Sequence, residues 1–389
     1  MADIDPDVRW PELSAATQSV LVRLLVHGPT SRAELARRSG LSAASLTRIT
    51  RVLVDGGLLT ENDALPLNRT GRPSLPMEVN VNFAHLIGIN LTADHLHLVR
   101  TDLRATVLGE LSVPLLGTDP EIVITAICDA VAAQKALDPA ILAVGVSLAG
   151  PVSPYAEVIA SSPFLGWTDV PLVRAVRNRT GLPTVVENDV RALTAAEHWF
   201  GAAAGCRDFA LVTVGAGIGC GLVLHDRLVD GRSGASGQIG HLSVTDSGPV
   251  CERGHRGCAR SYLASSSIVA QIQVALRRPH LTYEQALELA AEKNPIALRV
   301  ARDAGHALGL LIGTLAAITA PEKVLVSGEG VRLVSIVRDL VEESATRVQH
   351  WTAPPVPIEI APFASTEWAR GAAVMALRHQ VEATPAIAG

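Results

Sequence analysis

Apolar positions along this chain follow two different rhythms, and the change between them near residue 80 divides it. Up to that point the spacing is helical. Ser14 can cap a helix whose apolar stripe runs through Val20, Leu21, Leu24 and Leu25 and ends at His27-Gly28-Pro29. Ser31-Arg32-Ala33-Glu34 has the form of a capping box that opens a second, short helix stopping at Ser39-Gly40. Ser42 caps a third, with Leu46, Ile49 and Leu53 on its inner face and Ala43, Ala44, Thr47, Arg48 and Arg51 on its other faces, closed by Asp55-Gly56-Gly57. Leu58 to Glu61 and Leu75 to Val79 can then pair as strands around a loop carrying Asn68-Arg69-Thr70-Gly71-Arg72-Pro73. Helices joined by the short turn Ser39-Gly40-Leu41-Ser42 and followed by a β-ribbon outline an α+β winged helix-turn-helix over residues 1–80.

From about Ala84 apolar runs of strand length alternate with helical stretches. Strands are expected at His85–Asn90, His95–Thr101, Leu142–Ser147, Thr184–Glu187, Phe209–Val214 and Lys323–Ser327. Helices are expected at Pro120–Gln134, Val190–Gly201, Ser267–Arg278 and Leu308–Ala320. Such alternation is the mark of an α/β architecture. At 389 residues the chain exceeds one compact core.

Composition narrows the function classes. With 48% hydrophobic and 18% charged residues the chain folds. It has no apolar run long enough to span a bilayer, and Met1 to Asp7 is acidic rather than a basic leader, so it reads as a soluble, cytoplasmic protein with no membrane partner. Five cysteines are too few, and odd in number, for a disulfide framework. Trp167, Trp199, Trp351 and Trp368 are scattered and read as packing anchors rather than a stacking platform.

A net charge of -5 excludes a global basic field, so any nucleic-acid binding must come from local clustering. Residues 1–80 balance nine Arg against nine Asp plus Glu, yet between Thr30 and Val54 Arg32, Arg37, Arg38, Arg48 and Arg51 face only Glu34. The loop adds Arg69 and Arg72. This clustering can neutralise several phosphates, while Ser42, Ala43, Ala44, Ser45, Thr47, Arg48 and Arg51 on the third helix can reach base edges in a major groove.

The second half opens with an apolar strand running into alternate glycines, Val212-Thr213-Val214-Gly215-Ala216-Gly217-Ile218-Gly219-Cys220-Gly221, where backbone amides can approach a phosphate or a sugar closely. It is preceded by Glu187-Asn188-Asp189 and followed by Gly237-Gln238-Ile239-Gly240-His241 and Cys251-Glu252-Arg253-Gly254-His255-Arg256-Gly257-Cys258. Together with Gly145 to Val152, Ser162 to Trp167 and Thr70-Gly71-Arg72-Pro73, this ordered series resembles the ROK family (repressor, open reading frame, kinase) over nearly the whole chain. The resemblance implies an actin-like, sugar-kinase-like α/β fold of two lobes with a sugar cleft between them, in a dimer or tetramer. Lobes would span 81–200 and 201–389, with the C-terminal helix free to pack back on the first. Members carrying the added N-terminal domain are sugar-responsive regulators, mostly repressors that bind an inverted-repeat operator.

The resemblance also assigns roles. Asp189 matches the general base of the kinases and Asn188 a sugar contact, with Gly150, Gln238, His241 and Arg260 completing the ligand set. This chain departs from the kinase pattern at the first phosphate loop, where Asn90-Leu91-Thr92-Ala93-Asp94 lacks the acidic first position and the glycines, so no catalytic residue and no ATP dependence are expected. An active kinase with a regulatory DNA-binding head, and a DNA-binding dimer that ignores ligands, are the rival readings. Gln238 and Arg260 stand where the family has glutamates and Arg191 where many members have asparagine, changes that suggest a phosphorylated or acidic sugar. The family's structural zinc uses one histidine and three cysteines. Here His241, Cys251 and Cys258 match, Arg253 replaces the third cysteine, and His255 is the residue that could complete the set.

Overall fold

The computed structural model describes residues 10–61, 76–152, 157–231 and 237–382. In chain order the elements begin with α1 (Ala15–His27), β1 (Thr30–Ser31), α2 (Arg32–Ser39), α3 (Ala43–Asp55), β2 (Leu59–Glu61) and β3 (Pro76–Val79). There follow β4 (His85–Leu91), β5 (His95–Thr101), β6 (Val107–Pro114), α4 (Pro120–Leu137), β7 (Ile141–Leu148), β8 (Ile159–Ser162), β9 (Trp167–Val170), α5 (Leu172–Thr180), β10 (Thr184–Asn188) and α6 (Asp189–Phe200). The remainder comprises β11 (Phe209–Val214), β12 (Ile218–Leu224), β13 (Arg227–Leu228), α7 (Ala259–Leu263), α8 (Ser265–Leu276), α9 (Tyr283–Ala291), α10 (Pro295–Thr319), β14 (Lys323–Ser327), α11 (Val331–Ile336), α12 (Arg338–Val348), β15 (Ile358–Ile360) and α13 (Thr366–Glu382). They form two compact units, one of residues 1–205 with 366–389 and the other of residues 206–365.

The first unit begins with the three helices that the serine caps foretell. Ser14, Ser31 and Ser42 each accept a hydrogen bond from the amide three residues on. The capping box at Ser31 is only half formed, because Glu34 turns its carboxylate to Arg37 and Arg38. A three-stranded antiparallel sheet, ordered β1-β3-β2, closes this head, with Leu59 opposite Val79. Strand β1 is a two-residue segment with no periodicity to announce it.

Behind the head lies a five-stranded sheet ordered β10-β7-β4-β5-β6, in which β4, β7 and β10 are parallel. Its strands β4 and β7 are buried almost throughout, as a sheet covered on both faces requires. One cover is α13, whose Ala369, Ala372 and Ala373 press on the strands so closely that a Cβ on Gly88 or on its register partner Gly145 would collide with the helix backbone. This helix lies in the same unit as the first sheet although it is last in sequence, because its small-residue face fits the groove made by that glycine pair.

Head and sheet share one buried cluster. Val20, Leu21, Leu24 and Leu25 of α1 belong to it together with Trp199 of α6 and Ala373, Ala376, Leu377 and Val381 of α13. The second unit carries its own sheet, ordered β13-β12-β11-β14-β15, and its own core, to which α10 contributes most. The helix expected at Leu308–Ala320 starts much earlier, at Pro295, after the cap Asn294. No helix among the described residues is long and apolar enough to cross a membrane.

Candidate functional site

In the first unit the expected ligand residues converge at the C-terminal ends of the paired parallel strands β7 and β10, the usual location of ligands in open α/β sheets. Asn188 caps α6 by accepting from the Arg191 amide at 3.2 Å, while its Nδ2 donates to the Gly150 carbonyl at 3.1 Å. The neighbouring Asp189 is half-buried, and its Oδ1 accepts from the Val190 amide at 2.8 Å. Asn188 and Gly150 are therefore hydrogen-bonded into one corner, beside which Asp189 follows in the chain, giving a carboxylate and an amide that suit sugar hydroxyls.

Beneath it lies an ion pair. Arg191 is 2% exposed and donates from Nε to Glu187 Oε1 at 2.9 Å and from Nη2 to Oε2 at 3.2 Å. Glu187 Oε1 also accepts from the Asn188 amide at 2.7 Å. Recognition of a phosphate or acidic sugar by Arg191 is thus corrected: this guanidinium is consumed by a bidentate internal partner and braces the corner from below. Glu187 was visible in the sequence, four residues before Arg191, but only burial makes the pair structural.

The β4–β5 turn, which matches the position of the family's first phosphate loop, ties its polar side chains to one another. Asn90 is buried and donates to Ser147 Oγ at 3.1 Å. The Thr92 hydroxyl donates to Asp94 at 2.9 Å and accepts from the His95 amide at 3.0 Å. The Thr92 hydroxyl first, and then the His95 imidazole, whose Nδ1 lies 3.2 Å from Asp94 Oδ2, hold the Asp94 carboxyl below its ordinary range.

In the second unit, β11 and β12 form a hairpin around Gly215-Ala216-Gly217, while Gly219 and Gly221 lie within β12 rather than in the turn. Gln238 is exposed, beside the backbone tie from the Cys220 amide to the Gly237 carbonyl. Arg260 pairs with Glu252 and donates to the Ala216 carbonyl at 3.3 Å. Like Arg191 it therefore comes with its own acid, which weakens the case for a phosphate at this position.

His241, Cys251, His255 and Cys258 gather so that their ligand atoms all lie within 4.8 Å of one another. The His241 Nδ1 atom is 3.1 Å from His255 Nδ1, 3.7 Å from Cys251 Sγ and 3.9 Å from Cys258 Sγ. Tetrahedral zinc, with bonds of about 2.0–2.3 Å, requires ligands separated by about 3.3–3.8 Å; the His241 separations bracket that range, so two histidines and two cysteines fit the ion in kind and nearly in spacing. The loop is held by hydrogen bonds from the Cys251 amide to the His255 carbonyl and from the Gly254 amide to the Cys251 carbonyl, both 2.9 Å. Arg253 is not one of the four, whereas His255 is. Burial, followed by the facing His255, keeps His241 below the ordinary imidazole range and thus favours its metal-binding neutral form.

In the head, Ala43, Ala44, Thr47, Arg48 and Arg51 are all exposed on α3, as expected, with Leu46 and Leu53 buried beneath them. Ser42 donates to Ser45 Oγ at 3.0 Å, and Thr47 donates to the Ala43 carbonyl at 2.8 Å. The charge balance differs from the sequence reading. Arg32 pairs with Glu61, Arg37 and Arg38 with Glu34, and Arg51 loosely with Asp55 at 3.6 Å. Arg48 has no ion-pair partner among the described residues, while Arg69 and Arg72 lie outside them. Trp167 and Trp199 are packing anchors as expected, whereas Trp351 is 87% exposed.

Comparison with known proteins agrees with this architecture. Residues 86–379 match the ROK family. The chain is 30% identical over 316 residues to the DNA-binding transcriptional dual regulator NagC of Escherichia coli strain K12, covering 78% of this chain and 77% of the relative. It is 24% identical over 310 residues to the xylose repressor of Bacillus subtilis strain 168, covering 79% and 80%. Among solved structures, a ROK family transcriptional regulator described as a homolog of the E. coli MLC protein superposes with a TM-score of 0.83 at 24% identity, covering 95% of this chain and 97% of that one. A ROK family glucokinase from Streptomyces griseus, in complex with glucose and AMPPNP, superposes with a TM-score of 0.64 at 27% identity, covering 75% and 99%.

Proposed function

This chain belongs to the ROK family, and from that premise we propose that it is a sequence-specific transcription regulator, a repressor of sugar metabolism or transport genes that responds to a sugar or sugar phosphate and does not phosphorylate it. The observation that carries this reading is the shared cluster in which α1 of the head packs with the far end of α6, the helix whose first residues are Asn188 and Asp189. A helix of 12 residues spans about 18 Å, so an effector bound at its N-terminus can bias the seating of the head through one rigid element. Asp189 acts in this scheme as a hydroxyl acceptor. A β4–β5 turn of Asn90-Leu91-Thr92-Ala93-Asp94, without glycine and with an amide in place of the first acid, supports loss of phosphoryl transfer, since that chemistry depends on positioned phosphates and charge neutralisation.

The DNA contacts are proposed for Arg32, Ser42, Ala43, Ala44, Ser45, Thr47, Arg48 and Arg51, with Arg69 and Arg72 in the wing, on each half of an inverted repeat bound by a homo-oligomer. Because Arg48 faces solvent with no ion-pair partner among the described residues, it is expected to contribute more than the paired arginines. Arg48→Ala is expected to weaken operator binding about tenfold, or about 1.4 kcal/mol, in a fluorescence anisotropy titration at fixed salt. An unchanged Kd would remove α3 from the interface. Gel-shift titrations with a panel of sugars and their phosphates test the whole reading: an effector should lower operator affinity, and calorimetry should show no nucleotide turnover.

His241, Cys251, His255 and Cys258 would hold a structural zinc ion, which ties the loop that follows Gln238 to the start of α7. Metal analysis of the purified protein is expected to give about one zinc per chain. Cys258→Ser is expected to abolish it and to lower the melting temperature, and zinc at wild-type stoichiometry in that variant would refute the ligand set.

A further inference from the structure

Which bases a helix can read depends on the groups it shows to the groove, and α3 shows few kinds. At about 100° per residue, Ala43, Ala44, Thr47, Arg48 and Arg51 share an arc of about 140° on the face turned away from Leu46 and Leu53. All five are exposed. Three of them, Ala43, Ala44 and Thr47, carry a methyl group.

The hydroxyls of this stretch are committed to the helix itself. Ser42 Oγ accepts from the Ser45 amide at 3.2 Å and donates to Ser45 Oγ at 3.0 Å. The Thr47 hydroxyl donates to the Ala43 carbonyl at 2.8 Å, so it has no proton left for a base acceptor, while its methyl is uncommitted. Arg51 leans on Asp55 at 3.6 Å, whereas Arg48, about one turn nearer the N-terminus, has no ion-pair partner among the described residues. From Ala43 to Val54 the sequence holds no Asn, Gln, Asp or Glu. Those are the side chains that pair with adenine or with the amino group of cytosine; arginine pairs with guanine O6 and N7, and small apolar groups meet the C5 methyl of thymine.

We propose that α3 reads two base features of its operator, thymine methyls packed against Ala43, Ala44 and Thr47 and a guanine held by Arg48. Thr47 is then specificity-determining through its methyl and not its hydroxyl. Alanine suits this task, because it has no rotamers to order on binding and its short side chain lets the helix backbone come close to the bases. Burying one methyl corresponds to roughly a fourfold change in affinity. The inference rests on the reading of the chain as a sequence-specific DNA-binding regulator.

The test uses the full chain. A duplex is selected from a random pool with the wild type. It is then remade with deoxyuridine for thymidine, which removes the C5 methyls, and separately with 7-deazaguanine for guanine, which removes N7. Fluorescence anisotropy at fixed salt gives Kd for the wild type, Thr47→Ser, Thr47→Val and Arg48→Ala, with thermal melting as the check on folding. The wild type is expected to lose at least about tenfold in affinity on each remade duplex. Thr47→Ser keeps the hydroxyl and lacks the methyl, so its loss on the uracil duplex is expected to be about fourfold smaller, while Thr47→Val pays the full penalty. Arg48→Ala is expected to be nearly indifferent to 7-deazaguanine. The inference is overturned, and the regulator reading stands, if the wild type binds the thymine and uracil duplexes alike or if Thr47→Ser pays the full penalty. An Arg48→Ala protein as sensitive to 7-deazaguanine as the wild type also overturns it. If no sequence is enriched from the pool, the regulator reading fails and the inference with it.

Discussion

Replacing Glu187 by alanine is expected to destabilise the first unit by about 3–5 kcal/mol, because the substitution removes the carboxylate that neutralises a guanidinium held almost entirely away from water. The double variant Glu187→Leu with Arg191→Met is expected to recover most of that loss, since apolar groups of similar volume need neither desolvation nor a partner. Urea denaturation followed by circular dichroism measures both. A single variant as stable as the wild type would show that the pair contributes nothing. The same substitution bears on function: Glu187 accepts from the Asn188 amide, so loss of the pair loosens the corner that Asn188 forms with Gly150.

Trp199→Ala is the second large effect. The indole is 3% exposed, it stacks edge-on against Phe200 at 5.9 Å, and the Arg378 guanidinium lies 5.1 Å above its ring. Deleting it opens a cavity where α1, α6 and α13 meet, at an expected cost of about 3–5 kcal/mol. Its distinctive consequence is in coupling. With the far end of α6 no longer packed against the head, an effector bound at Asn188 and Asp189 should still bind but should change operator affinity less than in the wild type. Anisotropy titrations with and without effector measure this, and Trp199→Phe should restore part of the response. An effector response of wild-type size in Trp199→Ala would exclude α6 as the connecting element.

The two predictions together describe α6 as a lever fixed at both ends. Its N-terminus is held by the Asn188 cap and the Glu187–Arg191 pair, and its middle is pressed against α13, where Gly371 lets the backbones approach at Ala192 and Leu193. One turn from its end, Glu197 is buried beside Arg370, and burial raises its carboxyl above the usual range.

Much of this was legible in the sequence because it depends on near neighbours. The three helix starts followed from single serines, and β4, β5, β7, β10, β11 and β14 from short apolar runs, whereas β6, β8, β9, β12, β13 and β15 were not expected. The α3 face carrying Arg48 followed from the positions of Leu46 and Leu53 alone. The resemblance to the ROK family pointed to His241, Cys251, His255 and Cys258 as a ligand set, and the folded chain brings these four side chains together. Other features needed the tertiary structure. Whether Arg191 and Arg260 were free for an anion depended on the burial and direction of Glu187 and Glu252, which the residue types do not encode. The seat of α13 depended on the glycine pair Gly88 and Gly145, which meet only once β4 and β7 are in register. Local hydrogen bonding and periodicity determine the elements, whereas ion pairing and the seating of helices depend on which elements the folded backbone makes neighbours.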